Sequence, residues 1–417
     1  MEEKEKFILA GVHRSLRDYL ADTTDESIEE LGELVKTAGG EVVACVIQNK
    51  TDLEAGTYMG EGKLEEIKQV IETLEADCIV FDDELSPVQM RNISDILGIK
   101  VLDRSMLILD IFAMRAKTSE GKLQVELAQL KYRLPRLRGF GAEMSRTGAG
   151  IGTRGPGETR LESDRRHIRR RISALEEEIK ELKKRRELLR SRRKKDGVIT
   201  AALVGYTNAG KSTLLNTLTD AGVFAEDKLF ATLDPTSRGI TLEDNRNILL
   251  VDTVGFIRKL PHHLVEAFKS TLEEAVVADF LLHVIDISSE EAQNQIDVVE
   301  HVLSDIGATG KPVIGVFNKC DKVENKPVLN GSFDKTVFIS AKSNQNIDGL
   351  MQTISETAPG QKRRVTVCIP YSMGAEVNEL HTNQKVLSEE YTAEGTKMEL
   401  LADSAAYERI KEYVVEE

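Results

Sequence analysis

The chain has 417 residues, 41% hydrophobic and 30% charged, which excludes disordered and fibrous classes and exceeds one compact core, so two or three domains are expected. No run approaches the roughly 18 apolar residues of a membrane span, and M-E-E-K-E-K at the start lacks the basic-then-apolar order of a secretory signal; a cytoplasmic protein without membrane insertion is expected. The net charge of -14 argues against nucleic acid as a partner, but between Arg154 and Lys195 17 Lys or Arg stand against 8 Asp or Glu, a local +9 that leaves -23 elsewhere, and local charge decides what a surface attracts.

From residue 1 to 118 short apolar runs alternate with amphipathic stretches. F-I-L-A-G-V at 7 to 12, V-V-A-C-V-I at 42 to 47, C-I-V-F at 78 to 81 and V-L at 101 to 102 read as strands, while Ser27 to Thr37 and the set Leu64, Ile67, Ile71, Leu74 keep helical spacing. Ser86-Pro87 followed by Gln89 has the composition of a helix start. A small α/β domain with a mostly parallel sheet is predicted. Cys45, Cys78, Cys320 and Cys368 form no C-x-x-C pair, so free thiols are expected rather than zinc ligands or a disulfide framework.

Residues 119 to 196 turn polar and basic around a glycine-rich segment at 139 to 159, which cannot hold one regular element and reads as a mobile loop between two helices. The second helix is predicted from about Glu158 to Arg193. Its narrow stripe of Ile168, Ile172, Leu175, Ile179, Leu182 and Leu189 would be buried by an antiparallel hairpin of two long helices.

From 197 to 362 five strands are predicted, at 198 to 204, 247 to 251, 280 to 285, 313 to 317 and 336 to 339, each followed by a polar motif and then a helical pattern, as in a doubly wound sheet. Residues 363 to 417 read as strand, helix, two strands and helix, a small α+β module without visible chemistry. There is no internal repeat.

Gly205-Tyr206-Thr207-Asn208-Ala209-Gly210-Lys211-Ser212, with Thr213 next, fits G-x-x-x-x-G-K-[ST] after a strand and before a helix. Such glycines let backbone N–H groups and a helix N-terminus face phosphate. Lys211 is expected to reach the β and γ phosphates and Ser212 to ligate Mg²⁺. Asp252-Thr253-Val254-Gly255 ends the next strand, placing a carboxylate to hold a water on the metal and the Gly255 N–H for the γ-phosphate. Asn318-Lys319-Cys320-Asp321 ends another. A carboxylate at Asp321 can accept from both the ring N–H and the exocyclic amine of guanine, a donor pair adenine lacks, which favours GTP over ATP. Ser340-Ala341-Lys342 ends the last strand and would close over the base.

Together with Phe230-Ala231-Thr232-Leu233-Asp234-Pro235-Thr236, D-T-V-G-F-I-R-K-L-P-H-H-L at 252 to 264 and G-I-G-T-R-G-P-G-E-T at 150 to 159, these motifs resemble the HflX family of GTPases over nearly the whole chain. The resemblance implies an N-terminal HflX-type domain, a basic helical linker, a GTPase domain and a C-terminal module. It also implies the large ribosomal subunit and its rRNA as partner, and work in splitting or rescuing stalled ribosomes under stress. Within it Thr232, in preference to Thr236, is the threonine whose hydroxyl completes the Mg²⁺ shell when the γ-phosphate is present, making Lys211, Thr232 and Gly255 the expected catalytic set. Proteins of this family have been suggested to use ATP at the N-terminal domain. Gly60-Glu61-Gly62-Lys63 lacks the full spacing and the Ser or Thr after lysine, so a helix-starting turn is favoured there.

Phe256 stands where Ras-like proteins carry the glutamine that orients the attacking water, so slow intrinsic hydrolysis is expected. Asn208 has two readings: a loop-stabilising residue, or a K⁺ ligand whose ion stabilises developing charge. His262 and His263 are read as beginning a helix, with a catalytic histidine the less favoured alternative. The Arg154 to Lys195 stretch, with Arg160, Arg165 and Arg166, suits a phosphate backbone; the competing reading is a solvated face paired by Glu176 to Glu178 and Glu181. The chain is expected to be monomeric. Competing functions are an ATP-dependent RNA-remodelling protein regulated by its GTPase domain, and a GTPase adaptor for a membrane or protease complex.

Overall fold

The structure, a computed structural model, describes residues 4–13, 24–50, 52–137, 156–195, 197–219, 229–230, 236–244, 246–259, 269–360, 363–402 and 404–416. Most of the 139 to 159 segment, Arg154, Ala231 to Asp234, His262 and His263 lie outside these residues.

The first sheet contains β1 (Lys6–His13), β2 (Glu41–Asn49), β3 (Cys78–Phe81) and β4 (Lys100–Asp103), all parallel in the order β2-β1-β3-β4. Alternation along β1 sends Phe7 and Leu9 to one face and Ile8 and Ala10 to the other, and both faces are buried, as a parallel sheet requires. The first face packs α1 (Thr24–Thr37) and α4 (Arg104–Arg115), the second α2 (Glu61–Leu74) and α3 (Pro87–Leu97). The start of α3 is the capping box expected from Ser86 and Gln89: the Gln89 N–H donates to Ser86 Oγ at 3.2 Å and the Ser86 N–H to Gln89 Oε1 at 3.0 Å.

Next come α5 (Ser119–Arg136) and α6 (Pro156–Lys195). Glu120 meets Arg186 while Lys131 meets Glu176, so the two run antiparallel. The expected burial of the α6 stripe is corrected: Leu175 is fully buried but Leu189 is 52% exposed. The reason is length, because the 18 residues of α5 cannot cover the 40 of α6.

The second sheet holds β5 (Ile199–Val204), β6 (Thr236–Thr241), β7 (Asn247–Asp252), β8 (Phe280–Asp286), β9 (Val313–Asn318) and β10 (Lys335–Phe338), in the order β10-β9-β8-β5-β7-β6. Its strands are parallel except β6, which pairs antiparallel with β7 and was not among the expected strands. Around them lie α7 (Lys211–Thr219), α8 (Lys269–Val277), α9 (Ala292–Asp305) and α10 (Ile347–Thr357). The third sheet, order β12-β13-β11-β14, is antiparallel and built from β11 (Arg363–Ile369), β12 (Lys385–Tyr391), β13 (Thr396–Ala402) and β14 (Val414–Glu416). It carries α11 (Gly374–Asn383) and α12 (Ser404–Ile410); beyond the expected strand, helix, two strands and helix it adds β14 and two single 3-10 turns, Tyr371–Met373 and Lys411–Tyr413. No described helix is long and apolar enough to cross a membrane.

Candidate nucleotide site

The loop after β5 is shaped by two glycines. Gly205 has φ +150, and a Cβ there would lie 2.2 Å from the Val284 carbonyl oxygen; Gly210 has φ +97, and its Cβ would lie 2.3 Å from Asn318 Nδ2. Only glycine fits either place. Asn208 takes φ 61, a left-handed backbone that asparagine tolerates better than most residues. Lys211 opens α7 buried, and its ammonium donates to the carbonyls of Gly205 at 3.0 Å and Tyr206 at 2.7 Å. Burial lowers its pKa to about 8, against the opposing pull of Asp252. Ser212 Oγ donates to Asp252 Oδ2 at 2.8 Å, so a hydroxyl and a carboxylate, both hard oxygen donors of the kind Mg²⁺ takes, meet at the carboxyl end of β7. Thr213 follows within α7.

Beyond Asp252 the chain is laid against the phosphate loop. The Thr253 hydroxyl donates to the Leu203 carbonyl at 2.7 Å, Val254 is buried, and a Cβ on Gly255 would sit 2.7 Å from Thr207 Cγ2 and 3.1 Å from Lys211 Nζ. Phe256 donates its N–H to the Gly205 carbonyl at 3.2 Å and accepts the Thr207 N–H at 2.8 Å. Its ring is 1% exposed and packs in a core with Tyr206, Leu272 and Leu281. Phe256 is thus an element of the core as well as lacking a hydrogen-bonding group.

Asn318 ties three motifs together. Its amide donates to the Ala209 carbonyl at 2.8 Å and its oxygen accepts the Ala341 N–H at 3.0 Å. Lys319 reaches the Asn208 carbonyl at 2.9 Å and Asp286 at 2.6 Å. Cys320 Sγ lies 3.5 Å from Gln345 Oε1. Asp321 is exposed, with a hydrogen bond from the buried Ser340 holding its carboxyl below the usual range. Lys342, two residues after Ser340, is exposed. Of the earlier run, Phe230 is buried with its ring 4.6 Å from Phe112 and Thr236 opens β6 opposite Asp252, whereas Ala231, Thr232, Leu233 and Asp234 fall outside the described residues. The Gly60 turn starts α2, with its N–H held by Gln48 Oε1 at 3.0 Å and Lys63 paired to Glu66 at 2.7 Å, the geometry of an ordinary helix start.

Sequence reasoning missed the charges that join the first sheet to this loop. Arg104, fully buried, donates to Asp82 at 2.7 Å and to Glu30. Glu30 accepts from the Tyr206 hydroxyl, and that hydroxyl accepts the Arg258 N–H at 2.8 Å. Arg258 bridges Glu26 at 2.8 Å and Glu291, while Lys259 reaches Asp82 and, at 3.1 Å, Asp83. Burial and the adjacent Glu30 push the Tyr206 phenol far up, so it stays a donor. Burial opposes ionisation of Asp82, but Arg104 and Lys259 outweigh it and hold the carboxyl below its usual range. A sequence signal existed: Asp82-Asp83 and Asp103-Arg104 directly follow two apolar strands, the carboxyl ends where α/β sheets place their working groups.

A doubly wound sheet with a glycine-framed loop after β5, a hydroxyl and a carboxylate meeting at the carboxyl end of β7, and an Asn-Lys-x-Asp strand end defines a GTP-binding and GTP-hydrolysing protein of the P-loop class. Family profiles described as GTP-binding GTPase N-terminal, GTP-binding GTPase Middle Region and 50S ribosome-binding GTPase match residues 25–113, 115–193 and 200–319. The chain is 50% identical over 413 residues to a "GTPase HflX" of Caldanaerobacter subterraneus subsp. tengcongensis, covering 99% of this chain and 94% of that protein. It is 43% identical over 360 residues to the "GTPase HflX" of Escherichia coli (strain K12), covering 85% and 84%. The chain belongs to the HflX family of GTPases. Among solved structures, a GTP-binding protein from Sulfolobus solfataricus in complex with GDP is 28% identical over 84% of this chain and 98% of its own, with a TM-score of 0.44.

Proposed function

We propose that this GTPase binds the large ribosomal subunit in its GTP state, splits or rescues stalled ribosomes under stress, and leaves after hydrolysis. The observation that carries the reading is the match of residues 200–319 to a family described as 50S ribosome-binding. The exposed Arg166, Arg169, Arg170, Arg192 and Arg193 of α6 support it, as a surface suited to phosphate backbone. In this reading the protein acts in the cytoplasm, and the working units are residues 1–118, 119–196, 197–362 and 363–417.

At the site, Lys211 engages the β and γ phosphates, Ser212 and, through water, Asp252 hold Mg²⁺ with Thr232, Gly255 presents its N–H to the γ-phosphate, and Asn318, Asp321 and Ser340 to Lys342 hold the guanine. Asn208 is the candidate K⁺ ligand; equal hydrolysis in K⁺ and Na⁺ buffers removes that role. The test of the whole is sedimentation with isolated ribosomal subunits under a non-hydrolysable GTP analogue and under GDP. Co-sedimentation with the large subunit under the analogue, weakening with added salt, is expected. No association in either nucleotide state overturns the proposal.

A further inference from the structure

The glutamine position of this GTPase is filled by a phenylalanine turned into the core, which leaves open what orients the attacking water. Thr207 occupies the third position of the phosphate loop, only 7% exposed, and its Oγ1 is buried without a hydrogen-bond partner among the described residues. A hydroxyl left so is costly unless a group beyond the described residues completes it. Its surroundings name the place it serves. The methyl Cγ2 is turned to Gly255, and Gly255 in turn stands against Lys211 Nζ. Those two neighbours are the groups that face a γ-phosphate in this class of site. The backbone N–H of Thr207 is already committed to the Phe256 carbonyl, so the hydroxyl is the polar hydrogen this residue has left to offer. The residue also lines the open cleft of about 940 Å³ that runs from the loop towards α1, a route for water.

We infer that the Thr207 hydroxyl orients the nucleophilic water of GTP hydrolysis, the task glutamine performs where the following residue is polar. The inference rests on the assignment of 205 to 342 as the GTP site. In the step, the water oxygen bonds to the γ-phosphorus as the bond from that phosphorus to the β–γ bridging oxygen breaks. The hydroxyl accepts one hydrogen bond from the water and donates one to a γ-phosphoryl oxygen. GDP leaves with the bridging oxygen, both water protons go to the phosphate product or solvent, and Thr207 ends unchanged.

The test compares the full-length wild type with Thr207→Val, which keeps the shape and loses the hydroxyl, and Thr207→Ser, which keeps the hydroxyl. Single-turnover GTP hydrolysis and the Kd of a non-hydrolysable GTP analogue are measured for each, with Lys211→Ala as the control for the site itself. Expected is a fall in rate of roughly 10² for Thr207→Val, the scale of losing one transition-state hydrogen bond, with analogue affinity within threefold and Thr207→Ser within fivefold of wild type. The inference is overturned if Thr207→Val hydrolyses at the wild-type rate, if rate and affinity fall together, or if Ser is as slow as Val. If instead Lys211→Ala binds and hydrolyses normally, the site assignment fails, and the inference with it.

Discussion

Two regions of this molecule are held by charge, and they differ in where the charges lie. Between the first sheet and the phosphate loop, Arg104 and Asp82 are 2% and 1% exposed, and Lys259, Glu30 and Tyr206 close the network. Between α6 and α8, Lys183 meets Glu273 at 2.8 Å with 46% of the lysine exposed, while Arg190 meets Glu274 at 2.6 Å with both side chains largely buried. Water reaches the lysine of the second set and weakens its pairing, whereas burial of Arg104 and Asp82 leaves a missing partner there uncompensated. The protein therefore welds its N-terminal sheet to the nucleotide loop through its most deeply buried charges, and holds its basic helix on α8 through pairs that solvent reaches at Lys183.

The comparison breaks first at Arg104. Arg104→Met leaves two buried carboxylates without their guanidinium and should cost about 3–5 kcal/mol, seen as a lowered urea midpoint; an unchanged midpoint would mean the network is solvated in solution. Next, Phe256→Gln restores the residue type used by Ras-like proteins but places an amide in the core. We expect a loss of about 2–4 kcal/mol of stability and no gain in the rate of GTP hydrolysis, and a faster enzyme would show that position 256 can face the nucleotide.

Acid should weaken the weld only at low pH. Because the Asp82 pKa is lowered on folding, its contribution is present above the unfolded value of about 3.9 and is lost as pH falls through the lower folded value. Wild-type stability should then drop below about pH 4, and Arg104→Met should flatten that limb of the profile. The smallest effect belongs to Lys183→Gln, whose side chain is 46% exposed, about 0–1 kcal/mol and shrinking at high salt; a larger, salt-insensitive loss would place that contact in the same class as Arg104.

Most of the second sheet was legible because each strand is a short apolar run ending in a motif: β5, β7 and β9 lead directly into Gly205, Thr253 and Lys319. The strand β6 was not, since T-S-R-G-I-T carries one buried residue in six on a half-exposed edge and gives no periodic signal. The α6 stripe was legible as a pattern but not as burial, because the length of the partner helix decides coverage. Least legible was the weld. Glu26, Glu30, Asp82, Arg104 and Arg258 are single charges separated by up to 232 residues, as for Glu26 and Arg258, and only the topology brings them to one place. Thr207 was legible as a loop residue, while the commitment of its N–H and the isolation of its hydroxyl are properties of packing.

Competition binding of GTP, ATP and xanthosine triphosphate to wild type and to Asp321→Asn most directly tests whether Asp321, in the turn after β9, reads the guanine. Wild type is expected to select GTP, and Asp321→Asn to lose GTP while gaining xanthosine triphosphate, whose ring carbonyl accepts from the new amide. Equal affinity of the wild type for GTP and ATP, or a variant that keeps its preference for GTP, would contradict that role.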